Sequence, residues 1–229
     1  LVVTVAGTPV NGYFNGYKNV TMAEGIQLSF EAQRDEEFRN GFPFFGERLW
    51  IDLLNTTPFD GERRQDLVET SDGFAKWLEA AGIPAPPSHG LPTARDDARK
   101  VREKLRSTFE DLRAGSGVQA PLLQWVNARL RNVRLRLALE QDGEGVRLVE
   151  RLDLGASGPS GAIARDFACF ICDYEPARLK RCANPACTMV FYDTGKNNTR
   201  RWCTMSICGN RDKVARYRAR KSHRTHAKR

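Results

Sequence analysis

The chain has 229 residues, 41% of them hydrophobic and 28% charged, a composition that supports one or two folded domains and argues against disorder. No apolar run approaches the ~18 residues of a membrane-spanning helix, and the opening LVVTVAGTPV lacks the basic flank of a secretory signal. The net charge of +8 is uneven: residues 180–229 hold 14 Lys or Arg against Asp193 and Asp212 alone, a local net of +12, while residues 1–179 are at −4. Such asymmetry implies an acidic polymer as partner, nucleic acid before an anionic membrane surface, with a solubilising tail as the plain alternative.

In chain order, residues 42–57 (FPFFGERLWIDLLNTT) form an apolar run that fits a buried strand or a helix equally well. A helix is expected after Ser71 or Asp72, with Phe74, Trp77, Leu78 and Ala81 on one face and Gly82 with Pro84 as its stop. A proline-rich surface loop follows and carries His89, read as solvent-exposed rather than catalytic. Thr93 is placed to cap the next helix, whose apolar stripe is Ala98, Val101, Leu105, Phe109 and Leu112. Another helix from about Pro121 buries Leu122, Trp125, Val126 and Leu130.

The period then changes from 3.6 to 2. Leu135, Leu137 and Leu139 alternate with polar neighbours, residues 142–145 (DGEG) turn the chain, and Val146 and Leu148 return it as a hairpin. Residues 155–161 (GASGPSG) read as a flexible joint before a helix containing Ile163, Phe167, Phe170 and Ile171. Cys169 and Cys172 lie on that helix at i, i+3 and are expected to be small buried hydrophobes rather than a redox pair.

The other four cysteines form two C-x4-C pairs, Cys182/Cys187 and Cys203/Cys208, separated by 15 residues. Two close thiolate pairs suit one tetrahedral structural zinc ion, since each pair clamps one edge of the tetrahedron; disulfides would suit a secreted chain. Between the pairs, Met189–Tyr192 reads as a strand, Thr194–Asn198 as a turn, and Arg200–Trp202 as the returning strand. After Cys208 a basic helix is expected to run to about Ser222, completing a treble-clef order of knuckle, hairpin and helix. On that helix Lys213, Arg216 and Arg220 share one face and Arg211 with Arg218 form a second basic edge. Val214 and Tyr217 lie between them, placed to pack on the hairpin, and Arg200 and Arg201 add further cations for phosphates.

This segment resembles the bacterial CGNR zinc-finger family through Cys208-Gly209-Asn210-Arg211, together with Cys182, Cys187, Phe191, Asp193, Arg200-Arg201-Trp202-Cys203 and Met205. The upstream body resembles that family's usual companion, the ABATE domain, in residues 51–56 (IDLLNT) and in the Trp77-Leu78 helix ending at Ala81-Gly82. The expected fold class is therefore α+β: a mostly helical N-terminal domain with a β-hairpin over 36–178, then a small treble-clef-like zinc finger over 179–222. A basic tail covers 223–229, and residues 1–35 find no counterpart and stand as an N-terminal extension. The resemblance implies a cytoplasmic bacterial transcription regulator responding to stress, with DNA as partner and an effector possible at the N-terminal domain. Asp52 and Asn55, polar in an apolar segment, are candidates for an effector pocket, although a plain turn explains them as well. The competing reading is an adapter whose finger docks protein or RNA. No enzyme is expected, because a treble-clef nuclease needs a histidine base and a second metal, and His223 and His226 occur only beyond the expected helix.

Overall fold

The computed structural model describes residues 20–22, 26–28, 37–59, 63–143 and 145–226. Strands β1 (Val20–Met22) and β2 (Ile26–Leu28) come from within the expected extension, the rest of which to residue 35 lies outside the described residues. A tight hairpin follows, β3 (Phe38–Arg39) and β4 (Phe42–Pro43), turned by Asn40 and Gly41 with φ of 48° and 82°. Positive φ at both central residues is the hairpin turn that Asn-Gly favours.

The apolar run whose type the sequence leaves open divides into β4 and a short helix, α1 (Leu49–Leu54), all six residues of which are buried. A helix buried on every side shows no amphipathic period, which is why periodicity does not reveal it. Helix α2 (Ser71–Ala80) is capped by Thr70, which accepts the Gly73 N–H at 3.0 Å. It closes as anticipated at Gly82 (φ 67°), where the Gly82 and Ile83 N–H groups bond back to the Glu79 and Leu78 carbonyls in a Schellman motif.

Helix α3 (Leu91–Arg113) starts earlier than a Thr93 cap would allow: Gly90 is the cap residue, and Pro92 occupies the first turn, where its missing N–H costs nothing. Its stripe from Ala98 to Leu112 is buried as the spacing demands. Arg102 on the same helix is buried as well, donating to both carboxylate oxygens of Asp66 at 2.8 and 2.6 Å and to Thr56 Oγ1 at 2.8 Å. Helix α4 (Ala120–Leu130) leads into β5 (Arg134–Asp142) and β6 (Gly145–Asp153), the hairpin foreseen from the alternation. Together with the first two strands it makes a four-stranded sheet in the order β2-β1-β6-β5, β1 running parallel to β6.

Residues 155–161 are not a flexible joint. Gly155–Ser157 make a 3-10 turn and Gly158 opens α5 (Gly158–Ile171), with Pro159, Ser160 and Gly161 buried. A Cβ at Gly155 would sit 2.6 Å from the Asn132 carbonyl, so glycine there serves close packing. Cys169, on α5, and Cys172, its C-terminal cap residue, also depart from expectation: both are exposed. The core is centred on Trp50, whose ring meets Phe109, Phe167 and Phe170 at centroid distances of 6.2, 5.4 and 5.2 Å.

A 3-10 turn at Pro176–Arg178 then leads to the pair β7 (Leu179–Arg181) and β8 (Val190–Tyr192), a π-helical turn at Met205–Gly209 and the final helix α6 (Asn210–His226). Leu179, Val190 and Tyr192 pack into the same hydrophobic core as α1–α5. Among the described residues no helix is long and apolar enough to cross a membrane.

Asp52, buried within α1, accepts the Gly46 N–H at 2.7 Å, and a Cβ on Gly46 would collide with Ile51 and Asp52. Burial, reinforced by the charge of Asp166, raises its carboxyl well above the ordinary 3.8 despite that bond. A raised folded-state pKa favours the protonated form, so its contribution is complete below 3.8 and is lost as the pH rises. Asp52→Asn, which keeps an acceptor and never ionises, should therefore gain stability relative to the parent between about pH 4 and 7. Urea unfolding midpoints of the two proteins across that range check the sign.

Candidate metal centre and nucleic-acid face

Cys182 follows β7 and Cys187 precedes β8, so the strand pair brings both to one end. Between them Asn184 builds a tight knuckle: its Oδ1 accepts the Ala186 N–H at 3.1 Å and its carbonyl accepts the Cys187 N–H at 2.9 Å. Thr204 opens the second half by accepting the Ser206 N–H, and the π-helical turn presents Cys208 immediately before α6. At Gly209 a Cβ would displace the end of the exposed Met205 side chain, whose Sδ lies 2.7 Å away.

All four Sγ atoms lie within 4.8 Å of one another, and those of Cys187 and Cys203 are 3.8 Å apart. Zinc–thiolate bonds of about 2.3 Å give a tetrahedral edge of about 3.8 Å, so the cluster has the dimensions for one zinc ion. The donor chemistry agrees. S–H groups of Cys187 and Cys203 donate toward Cys182, pulling its pKa down to about 2. The same hydrogen bond to Cys182 pushes Cys187 up to about 12, and Cys182 with Cys187 drives Cys203 upward as well. Four thiolates in one place require a dication. Outer donors are in position, Asn184 Nδ2 to Cys208 Sγ and the Cys203 N–H to Cys182 Sγ, each at 3.5 Å.

Beside the cysteines the expected returning strand, Arg200–Trp202, is absent; β8 pairs with β7 instead. What shapes that segment is Asp193, buried, which accepts the Gly195 N–H at 2.9 Å, the Arg200 N–H at 2.8 Å and a hydrogen bond from Lys180 Nζ at 2.7 Å. Burial pushes its carboxyl up, but Lys180 and the two backbone donors outweigh that and hold it below the ordinary value. Lys180 also donates to the carbonyls of Asn198 and Arg200, so this member of the basic cluster is a structural cation.

Arg200 points inward too. Its guanidinium donates to the carbonyls of Trp202, Phe45 and Cys203 and to Glu47, and lies 4.2 Å from the Phe191 ring centroid. It fastens the finger to the loop before α1. Arg201, by contrast, is exposed and stacks on Trp202. Asp52 and Asn55, the candidates for an effector pocket, are both buried and hydrogen-bonded within the protein. Asn55 is buried and exchanges two hydrogen bonds of 3.0 Å with the Val190 backbone, its Nδ2 to the carbonyl and its Oδ1 from the N–H.

On α6 the side chains of Arg211, Lys213, Arg216, Arg218 and Arg220 are all exposed. Arg216 pairs with Asp212 at 2.6 Å, one turn back on the same helix. Val214 and Tyr217 do not pack on the strand pair; they too are exposed, between the two basic edges. A shallow groove of about 450 Å³ runs along this side, lined by Ile207, Asn210, Arg211, Val214 and Arg218. The helix continues through His223 and His226, residues expected in a tail; 227–229 lie outside the described residues.

A family model for the ABATE domain, described as "Putative stress-induced transcription regulator", matches residues 47–174. The chain belongs to the ABATE family. A second model, the CGNR zinc finger, matches residues 178–221 of this ABATE protein and covers all four cysteines. Comparison with curated proteins found no match. Cysteine spacing alone names the four ligands of the ABATE protein's finger but gives no sign of Glu47, the Phe45 carbonyl or the structural role of Lys180. One signal is present: Asp193 is one of only two acids among 14 cations.

The purified protein should carry one zinc per chain. Chelation should abolish amide protection over 182–187 and 203–226 while β8 and α1–α5 keep theirs, because β8 is held by the main core and Asn55. Hydrogen exchange with and without chelator reads this directly. Arg200→Ala should cost about 2–3 kcal/mol in urea unfolding, as several buried carbonyls lose a charged donor.

Proposed function

We propose that this protein is a zinc-dependent DNA-binding transcription regulator in which α6 enters or tracks a groove of the duplex. The supporting observation is the state of α6. Among the described residues, Arg211, Lys213, Arg218 and Arg220 project into solvent without an ion-pair partner, from a helix whose base is fixed by the cysteine cluster. A cationic helix held at one end keeps its orientation, which is what separates a positioned phosphate reader from a loose basic tail. Arg201, just before the second cysteine pair, adds a phosphate contact. Val214 and Tyr217, lying between the basic edges, supply apolar surface for base edges or sugars. Asn55 and Asp52 are taken up by packing, so an effector would have to act elsewhere on the ABATE domain. The reading is of a binding protein acting in the cytoplasm, with no catalytic role.

Duplex affinity should fall steeply with salt, because each neutralised phosphate releases condensed counterions. Removing the charges of Arg211, Lys213, Arg218 and Arg220 together should weaken binding with zinc content unchanged. The slope of log K against log salt should fall by about 1 for each phosphate that is no longer neutralised. Fluorescence anisotropy on a duplex selected from a random pool measures both. Absence of duplex binding at low salt would overturn this reading and favour the protein- or RNA-docking adapter.

A further inference from the structure

The β5–β6 hairpin has two unlike faces. On one, Leu152 of β6, opposite Leu135, is buried in the core, and beyond it Leu135, Leu137 and Leu139 of β5 with Leu148 and Val146 of β6 are exposed, Leu137 by 62% and Leu139 by 73%. On the other, Arg136 and Glu140 flank Ala138, with Val149 buried opposite it. β5 is also the last strand of its sheet, and among the described residues nothing pairs with its outer edge. A nine-residue open edge carrying three exposed leucines is a surface that soluble proteins normally blunt or cover.

The order of side chains along β5 indicates what covers it. The strand reads RLRLALEQD, basic at its start, acidic at its end, with the small Ala138 at its centre. Laid antiparallel against itself with Ala138 on the axis, Arg136 of each copy faces Glu140 of the other. In the same register Leu137 faces Leu139 on the opposite side of the sheet, twice over. Shifting the register by one residue would set charges against leucines. A shift by two would put Arg136 or Glu140 opposite Ala138. Of these registers the centred one pairs Arg136 with Glu140 and Leu137 with Leu139 at once, leaving Leu135 opposite Gln141.

We propose that two copies of this chain associate through β5, antiparallel about a two-fold axis at Ala138, joining their four-stranded sheets into one of eight. Arg136, whose hydrogen bond goes to Asp153 at 3.2 Å, keeps donors for the second copy. Glu140 is held in place by Arg147 and Arg151 across the hairpin, so its carboxylate is fixed before association. An isologous contact of this kind closes on itself and forms dimers rather than filaments.

Sedimentation of the full chain should show a concentration-dependent dimer. Leu137→Lys with Leu139→Lys should leave a monomer whose zinc content and circular dichroism match the parent; both side chains are exposed, so the fold tolerates the change. Arg136→Glu, which sets like charges together twice across the axis, should raise the dissociation constant at least tenfold and gives a second test should the lysine variant fold poorly. Register is checked by Ala138→Cys in a chain lacking the exposed Cys169 and Cys172, since directly opposed positions lie about 4.5–5.5 Å apart and close a disulfide under mild oxidation. A parent that stays monomeric overturns the proposal, as does a dimer indifferent to the lysine and Arg136→Glu substitutions, or one that Ala138→Cys does not cross-link. These outcomes are independent of whether the protein binds DNA.

Discussion

Much of this structure depends on one amide. Asn55, at the end of α1, hydrogen-bonds both the N–H and the carbonyl of Val190, so β8 is held against the body as a further strand would hold it. β8 follows Cys187 closely and its partner β7 leads into Cys182; fixing β8 therefore fixes the first half of the metal cluster. Arg200 makes the second fastening, from the other half of the finger to Phe45 and Glu47. With both in place, the direction of α6 is set by the body's core rather than by a linker.

The cysteines and Asp193 solve two charge problems in different ways. Asp193 is a buried anion stabilised by a lysine and two backbone donors, and it folds residues 193–200 around itself. The four thiols have no such supply of charge: a few weak N–H···S contacts, those from Asn184 Nδ2 and the Cys203 N–H at 3.5 Å, do not balance four negative charges. Zinc supplies the missing positive charge, and the fold supplies the spacing. Arg211, Lys213, Arg218 and Arg220 of α6 have neither task and stay exposed.

Sequence legibility follows the strength of local signals. The stripe of α3, the Gly82 stop of α2, and the alternation of β5 and β6 each carry a period or a turn residue, and each element is legible from them. Helix α1 is ambiguous because it is buried on all sides. The segment at 155–161 resembles a joint because Gly and Ser serve close packing as readily as flexibility; only the Asn132 carbonyl beside Gly155 decides between them. Spacing identifies the zinc ligands, whereas exposure is harder to read. The alternation of Leu137 and Leu139 does not tell that they face solvent; Cys169 and Cys172 look like core and are exposed; Arg200 looks like a surface cation and lies in a joint. Amphipathic pattern tells which residues share a face, not which face the rest of the chain covers.

The placement of Leu179, Val190 and Tyr192 in the main core bears on how this architecture can be inherited. Two family models divide the chain between residues 174 and 178, yet the division is not a physical seam. A gene segment encoding the finger alone would deliver three core side chains with nothing to bury them, and the donor would be left with an open hydrophobic wound beside α1. Moving this finger to another protein would therefore carry a packing cost that a bead on a string does not have, and a change at Leu179, Val190 or Tyr192 is felt on both sides of the boundary.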